Sequence, residues 1–210
     1  MGIHDFWVFA FASLMLNITP GNDMLYVASR SAGQGIRAGI ISALGIMAGC
    51  MVHIFAAVVG ISAIIARSAT AFDIVKFVGA AYLFYLGVKS IFNKKKSSFL
   101  KGEKLKPLSY SKIFTQGVLT NILNPKVALF FLAFLPQFID IKNGHPQWQI
   151  LFMGIWFDCS GTVVNIMVAV LFGKMGNWLG KSPRFVRLQE KITGIMLVAL
   201  GLKVALTSKK

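Results

Sequence analysis

Two short motifs in this chain could do chemistry, because each places a proline inside an otherwise apolar segment. The motifs are Thr19-Pro20-Gly21-Asn22-Asp23 and Asn124-Pro125-Lys126. A proline cannot sit in the interior of a helix without breaking its hydrogen bonds, so each motif is expected to end one helix and begin another. In this scheme Thr19 and Asn124 act as N-caps, and each proline takes the first helical position, where its missing N–H costs nothing.

A broken helix presents unpaired backbone N–H groups at the start of its second half. Lipid cannot satisfy these groups, so they must face protein, water or a ligand. The N-terminus of a half-helix also carries a partial positive charge, which suits a carboxylate. The alternative is a pair of simple kinks whose hydrogen bonds are repaired by neighbouring helices. The substrate-binding candidates are the residues around the two breaks: Asn17, Thr19, Pro20, Gly21, Asn22, Asp23, Asn124, Pro125 and Lys126.

Lys126 is a cation at the positive end of its own predicted helix, which is electrostatically unfavourable. It is therefore expected to have an anionic partner, either the carboxylate of a substrate or Asp23. The alternative is a lysine that extends along apolar surface toward a membrane interface.

Two further ionisable residues, His53 and Asp158, lie inside apolar segments. Histidine titrates near neutral pH and a partly buried aspartate can exchange protons, so the pair is predicted to couple transport to protons. The alternative is that each side chain holds two helices together through hydrogen bonds. Three asparagines in similar positions could hold helices together or line a cavity: Asn17, Asn121 and Asn165.

Composition excludes a soluble globular protein: 56% of the 210 residues are hydrophobic, only 14% are charged, and mean hydropathy is +0.68. A membrane span needs about 20 apolar residues. Six segments reach that length, so the chain is expected to be an all-α integral membrane protein. These segments are residues 6–28, 39–66, 72–92, 113–138, 150–172 and 188–206.

The net charge of +15 could indicate a nucleic-acid partner, but the Lys and Arg residues cluster between the apolar segments. Most follow segments 1, 3 and 5, which places those loops in the cytoplasm and both termini outside. No nucleic-acid partner is expected. The sequence also lacks the motifs of a metal site, a phosphate loop or a nucleophile elbow, so neither an enzyme nor a metal or cofactor is predicted.

The two halves of the chain resemble each other when one is shifted by 105 residues. Pro20 then aligns with Pro125, Gly49 with Gly154, and His53 with Asp158. Each half has three predicted helices, and three is odd, so the halves would have opposite orientations, as in many secondary transporters. The predicted divisions are a first repeat (1–92), a basic cytoplasmic linker (93–112) and a second repeat (113–210).

The motifs resemble the two signatures of the LysE/RhtB family of bacterial amino-acid exporters. The resemblance lies in Asn17-Ile18-Thr19-Pro20-Gly21, in Asn121-Ile122-Leu123-Asn124-Pro125-Lys126 and in the segment 131–138. It implies six helices in the bacterial inner membrane, export of amino acids or their derivatives, and coupling to the proton-motive force. Asn22 departs from the family pattern, which usually has a second proline there. Homoserine, threonine, leucine and lysine are all substrates of similar proteins.

The sequence therefore predicts a proton antiporter that exports small amino acids or their derivatives. The substrate carboxylate would meet the two half-helix N-termini, and its ammonium would approach Asp23 or Asp158. The alternative is a membrane thiol–disulfide electron carrier that uses Cys50 and Cys159. Small-x-x-x-small spacing at Gly35/Gly39 and Gly45/Gly49 permits close helix contact, either within one chain or between two copies in a homodimer.

Overall fold

The structure, a computed structural model, describes residues 6–67, 107–140 and 145–179, together with scattered positions within 70–92 and 191–202. Its regular elements are helices. The α-helices are α1 (Phe6–Ile18), α2 (Asn22–Gln34), α3 (Ile36–Arg67), α4 (Tyr110–Ile122), α5 (Pro125–Leu129) and α6 (Pro146–Leu179). Between α5 and α6 the chain continues as a π-helical turn, Phe130–Phe134, and a 3-10 turn, Leu135–Phe138.

Two described helices are long and apolar enough to cross a membrane, Ile36–Ile61 within α3 and Pro146–Lys174 within α6. The pair Tyr110–Ile122 and Pro125–Phe138 meets the same criteria as one span, bent by 44° at the second proline motif. The breaks thus fall where the prolines predict them. Predicted spans 72–92 and 188–206 are described only at scattered positions, and most of the linker 93–112 lies outside the described residues, so the six-span repeat stays a prediction.

The centre of the described fold is the pair of long helices α3 and α6, against which the shorter pieces pack. Helix α2 contacts both of them, α4 packs along α3, and α1 packs along α6. Glycines allow the close approach, since a Cβ on Gly49 would lie 2.6 Å from the Val118 carbonyl oxygen. Gly45 meets the α4 backbone in the same way, and Gly39 meets Ser31 and Ala169. These small residues therefore serve contacts within one chain.

One end of the bundle is filled by phenylalanines from α1, α6 and the π-helical turn. Phe130 stacks on Phe157 at 4.2 Å between ring centroids, and Phe9 lies against Phe130, Phe134 and Phe138. Large apolar side chains also cover the outside of the bundle, as a surface facing lipid requires.

Candidate functional site

The second break follows the local pattern that its sequence predicts. Asn124 is the N-cap of α5: its side-chain oxygen accepts a hydrogen bond from the backbone N–H of Lys126 at 3.1 Å. Pro125 occupies the first turn. The N-cap prediction for this motif is confirmed, and α5 begins with one of its free donors already satisfied by its own sequence.

The first break is built differently, and two predictions for it were wrong. Thr19 is not an N-cap, because its hydroxyl donates to the Met15 carbonyl oxygen at 2.9 Å, one turn back along α1. The N-cap of α2 is Gly21, with φ −156° and ψ −174°, so Pro20 lies before the helix instead of at its first position. Threonine hydroxyls readily bond the carbonyl four residues earlier, which removes them from capping. Because Gly21 has no side chain, the N-cap residue of α2 supplies no side-chain acceptor to the free backbone N–H groups in the first turn of the helix.

Lys126 extends from the second break into the first. Its Nζ donates to the carbonyl oxygens of Leu16 and Thr19, both at 2.9 Å. These carbonyls are at the C-terminal end of α1, where the helix leaves acceptors unpaired and carries a partial negative charge. Gly21 leaves room for this contact, since a Cβ there would lie 3.3 Å from Nζ. Asp23, the anion that the sequence predicts as a partner of Lys126, interacts with it electrostatically, whereas the hydrogen bonds of Nζ go to the carbonyl end of another helix.

Asp23 extends the other way, from the first break toward the second. Its Oδ2 accepts from Asn121 Nδ2 at 2.9 Å, at the end of α4. It also interacts electrostatically with Lys126 and His53. The Nε2 of His53 is 3.0 Å from the Asn121 carbonyl oxygen, and the imidazole stacks on Phe131. Each break therefore sends one charged side chain into the other.

Asp158, on α6, is almost fully buried, with 4% of its surface exposed. The Cys50 thiol of α3 lies against its carboxylate. Within the described part of the chain, four buried side-chain atoms at the breaks and on α6 have no hydrogen-bond partner: Asp23 Oδ1, Asn121 Oδ1, Asn124 Nδ2 and Asp158 Oδ2. Buried polar atoms are normally paired, so this concentration suits a polar ligand.

A polar cavity of about 30 Å³, enough for one or two water molecules, separates the breaks from α3 and α6. Of the predicted site residues it is lined by Asn17, Thr19, Asp23, Lys126 and Asp158. Asn121 and Asn165 line it as well, and Asn17 also joins helices by donating to the Phe157 carbonyl oxygen and to Ser160 Oγ, both at 3.0 Å.

Six predicted site residues are absent from this cavity lining: Pro20, Gly21, Asn22, Asn124, Pro125 and His53. Asn22 is exposed, Pro125 is exposed at the start of α5, and His53 contacts the end of α4 from the side. The structure thus places Asp158 at the cavity beside Cys50, and His53 beside the second break, in contact with the Asn121 carbonyl oxygen.

Two further lining residues, Gly161 and Thr162, are not among the residues that the sequence predicts. They follow Asp158 by three and four residues, and with the predicted Asn165, seven residues on, they form a stripe that faces the cavity. Extending the pattern from Asp158 along α6 would have found them. Among the residues that the structure describes, no group of His, Cys, Asp and Glu side chains could hold a metal ion.

The two cysteines are free thiols in different surroundings. Cys50 is buried and lines the cavity, whereas Cys159 is exposed on the outside of the bundle. Cys50 therefore belongs with Asp158 as part of the polar lining.

Comparison with known proteins agrees with this architecture. The profile of the LysE type translocator family matches residues 14–208. The chain is 33% identical to an uncharacterized membrane protein, YrhP, of Bacillus subtilis, over 98% of this chain and all of the relative. It is 30% identical to an uncharacterized membrane protein of Vibrio cholerae over 98% of both chains, and 25% identical to a leucine efflux protein of Salmonella typhimurium over 97% of this chain and 96% of the relative. No solved structure matches the chain. With apolar spans, two crossing helix breaks and a family match over nearly its whole length, the chain belongs to the LysE type translocator family of multi-pass membrane transporters.

Proposed function

We propose that this protein exports small amino acids or close derivatives, of the homoserine, threonine, leucine or lysine type, from the cytoplasm across the bacterial inner membrane in exchange for protons. The observation that carries the proposal is that each helix break sends a charged side chain to the other, beside a polar cavity. Lys126 bonds the end of α1, Asp23 bonds the end of α4, and unpaired carboxylate oxygens remain beside them. The name of the Salmonella relative, a leucine efflux protein, supports an amino acid as substrate.

The residues that line the cavity offer complementary groups for both ends of an amino acid, which would contact them when the helices move apart during transport, since the closed cavity holds only one or two water molecules. The N-terminus of α2, without a side-chain cap at Gly21, supplies N–H donors and a partial positive charge for the carboxylate. Asp23 Oδ1 and Asp158 Oδ2 are the unpaired acceptors for the ammonium. Because Asn124 already caps α5, the carboxylate is assigned to the first break alone.

Proton coupling in this proposal comes from competition for one carboxylate. The ammonium of the substrate and a proton cannot both occupy Asp158 Oδ2, so binding of one favours release of the other, which is the logic of an antiporter. His53 is the second residue that we propose for the coupling, because its imidazole contacts the Asn121 carbonyl oxygen and so joins α3 to the end of α4 at the second break.

The architecture that we propose has six spans in an inverted repeat of 1–92 and 113–210, joined by the linker 93–112, with both termini outside. Contacts between described positions of spans 3 and 6 support it. A Cβ on Gly87 would lie 2.7 Å from the Gly194 carbonyl oxygen, and a Cβ on Gly201 would lie 2.8 Å from that of Ala80. Spans 3 and 6 align with an offset of 114 residues, larger than 105 because the loop before span 6 is longer, so Gly87 corresponds to Gly201 and Ala80 to Gly194. The two contacts therefore exchange equivalent positions, as a two-fold axis between repeats requires.

The test is counterflow in proteoliposomes that contain a mixture of amino acids, with an imposed pH gradient and mass spectrometry of the compounds that move. We expect movement of a small set of amino acids. Asp158→Asn should abolish movement driven by the pH gradient, because the amide cannot exchange a proton. Asp140→Asn removes another buried carboxylate, outside the cavity lining, and serves as the matched control.

Two results would contradict the proposal. One is a wild-type protein that moves no amino acid while Cys50 and Cys159 cycle between thiol and disulfide, which would support the electron carrier. The other is an Asp158→Asn variant that still responds fully to the pH gradient, which would remove Asp158 from the coupling.

A further inference from the structure

We infer that Arg30 is the first binding site for the carboxylate of a substrate that enters from the cytoplasm, and that this carboxylate opens a latch between α2 and α4. The inference rests on the proposed export function. The latch, called the inner latch below, consists of Arg30, Gln34, Leu108 and Gln116, together with Tyr26.

Arg30 is a buried cation whose hydrogen-bond partners are neutral. The residue as a whole is 9% exposed. Its guanidinium donates from Nη1 to Gln34 Oε1 at 3.2 Å and from Nη2 to Gln116 Oε1 at 3.0 Å. One face lies 5.7 Å from the centroid of the Tyr26 ring. A guanidinium has five N–H donors and is always charged, and among the described residues its hydrogen bonds go to two amide oxygens and not to the anion that a buried charge normally has.

The inner latch joins the two predicted repeats. Gln34 pairs with the backbone of Leu108 in both directions, accepting from its N–H at 3.1 Å and donating to its carbonyl oxygen at 3.0 Å. The Tyr26 hydroxyl donates to the Ile113 carbonyl oxygen at 2.7 Å. Helix α2 belongs to the first repeat, Leu108 lies in the linker just before the second, and Ile113 and Gln116 lie at the start of the second. Rocking of one repeat against the other must break these contacts on the side that the distribution of Lys and Arg assigns to the cytoplasm.

A carboxylate is the ligand that can break them. Its two oxygens match the planar guanidinium in a bidentate pair, and charge-assisted hydrogen bonds are about twice as strong as neutral ones. On binding, Nη1 and Nη2 would leave Gln34 and Gln116, so the substrate would exchange contacts between the repeats for contacts with itself. The substrate thus favours the open state because it binds Arg30 better there.

Arg30 also lies on the route to the cavity. Asp23, Val27 and Arg30 are spaced by four and three residues, so they share one face of α2, and at a rise of 1.5 Å per residue Arg30 is about 10 Å from Asp23 along the helix. A substrate held by its carboxylate at Arg30 would next meet the carboxylate of Asp23 and the donors at the start of α2. The same helix would therefore carry both sites.

The experiment measures transport kinetics in proteoliposomes from the cytoplasmic face, with L-leucine, L-threonine, L-homoserine and L-lysine as substrates and the primary amide of each as competitor. The amides keep the ammonium and side chain but lack the carboxylate. We expect Arg30→Gln to raise the KM of the transported acid about tenfold or more, with little change in Vmax, since an ionic hydrogen-bonded contact is lost. Arg30→Lys, which keeps the charge but not the bidentate geometry, should fall between wild type and Arg30→Gln.

The matched control is Arg37→Gln, because Arg37 is exposed on the same predicted side and stacks over the Tyr110 ring at 5.1 Å. Its KM should stay within about twofold of wild type, since a surface charge contributes little to a distant site. The preference of the wild-type protein for the acid over its amide should shrink in Arg30→Gln and persist in Arg37→Gln.

A second pair of variants keeps Arg30 in place. Gln116→Glu puts an internal carboxylate where the amide now accepts from Nη2, so it should compete with the substrate and raise KM. Gln116→Ala removes one contact of the inner latch without adding an anion, and should leave KM unchanged or lower it. If both variants shift KM in the same direction, or if Arg30→Gln and Arg37→Gln behave alike, Arg30 is only a structural clamp and the inference fails while export stands. If the wild-type protein moves none of the four amino acids, the proposed function and the inference fall together.

Discussion

The two helix breaks use similar sequences in opposite ways. At the second break, Asn124 caps α5 with its own side chain and Pro125 occupies the first turn. At the first break, Thr19 bonds back to α1 and Gly21 leaves α2 without a side-chain cap. One break is thus closed locally, whereas the other remains open to a partner from elsewhere.

The difference has its origin in one pair of equivalent positions. A shift of 105 residues aligns Gly21 with Lys126, so the position without a side chain in one half carries a long cation in the other. That cation fills the space that Gly21 leaves and binds the carbonyl end of α1. The two equivalent breaks therefore have different roles: the second break binds the end of α1 through Lys126, and the first break is available to the substrate.

Among substitutions at the two breaks, we expect Lys126→Met to have the largest effect on transport and on thermal stability. The variant removes the charged donor from the carbonyl oxygens of Leu16 and Thr19, and the Leu16 oxygen keeps only the Thr19 N–H at 3.2 Å. Each hydrogen bond to a charged group contributes about 1.5–3 kcal/mol. We expect transport to fall about a hundredfold or more and the protein in detergent to unfold at lower temperature. Rates of counterflow and a thermal melting curve measure the two effects.

Lys112→Met is the control for this substitution, since Lys112 is exposed in the first turn of α4. It removes the same charge and should change neither quantity. If the two variants behaved alike, Lys126 would contribute only net charge. The contact between Lys126 and the end of α1 would then have no role in transport.

The sequence predicts the position of both breaks, because proline excludes a continuous helix through them whatever surrounds it. It also predicts the cap at Asn124, a purely local hydrogen bond. It does not predict that the Thr19 hydroxyl donates to the Met15 carbonyl oxygen. That bond competes with the N-cap bond to α2, both are local, and packing decides between them. The destination of Lys126 is a long-range contact across more than a hundred residues of sequence, and no local rule specifies it.

A moderate effect is expected when the open break is given the cap that it lacks. In Gly21→Ser the hydroxyl can accept from an N–H of α2, as Asn124 does for α5, and so compete with the carboxylate of the substrate. The new Cβ would also lie 3.3 Å from Lys126 Nζ, so the end of that side chain must shift by a few tenths of an ångström. We expect a KM about tenfold higher for the transported amino acid, with thermal stability unchanged or slightly higher. An unchanged KM would contradict the assignment of the carboxylate to the first break.

We expect the smallest effect on substrate binding when the second break loses its side-chain cap. Asn124→Ala removes the cap of α5 and should lower the free energy of unfolding by about 1 kcal/mol, the usual cost of losing an asparagine N-cap. Since the carboxylate is assigned to α2, the KM of the substrate should rise far less than in Gly21→Ser, and melting curves beside counterflow kinetics separate the two variants. A large rise in KM with no loss of stability would mean that the donors of α5 also bind the substrate. In that case the two breaks would share the carboxylate, as the symmetry of the sequence first suggests, and the assignment of different roles to the two breaks would be wrong.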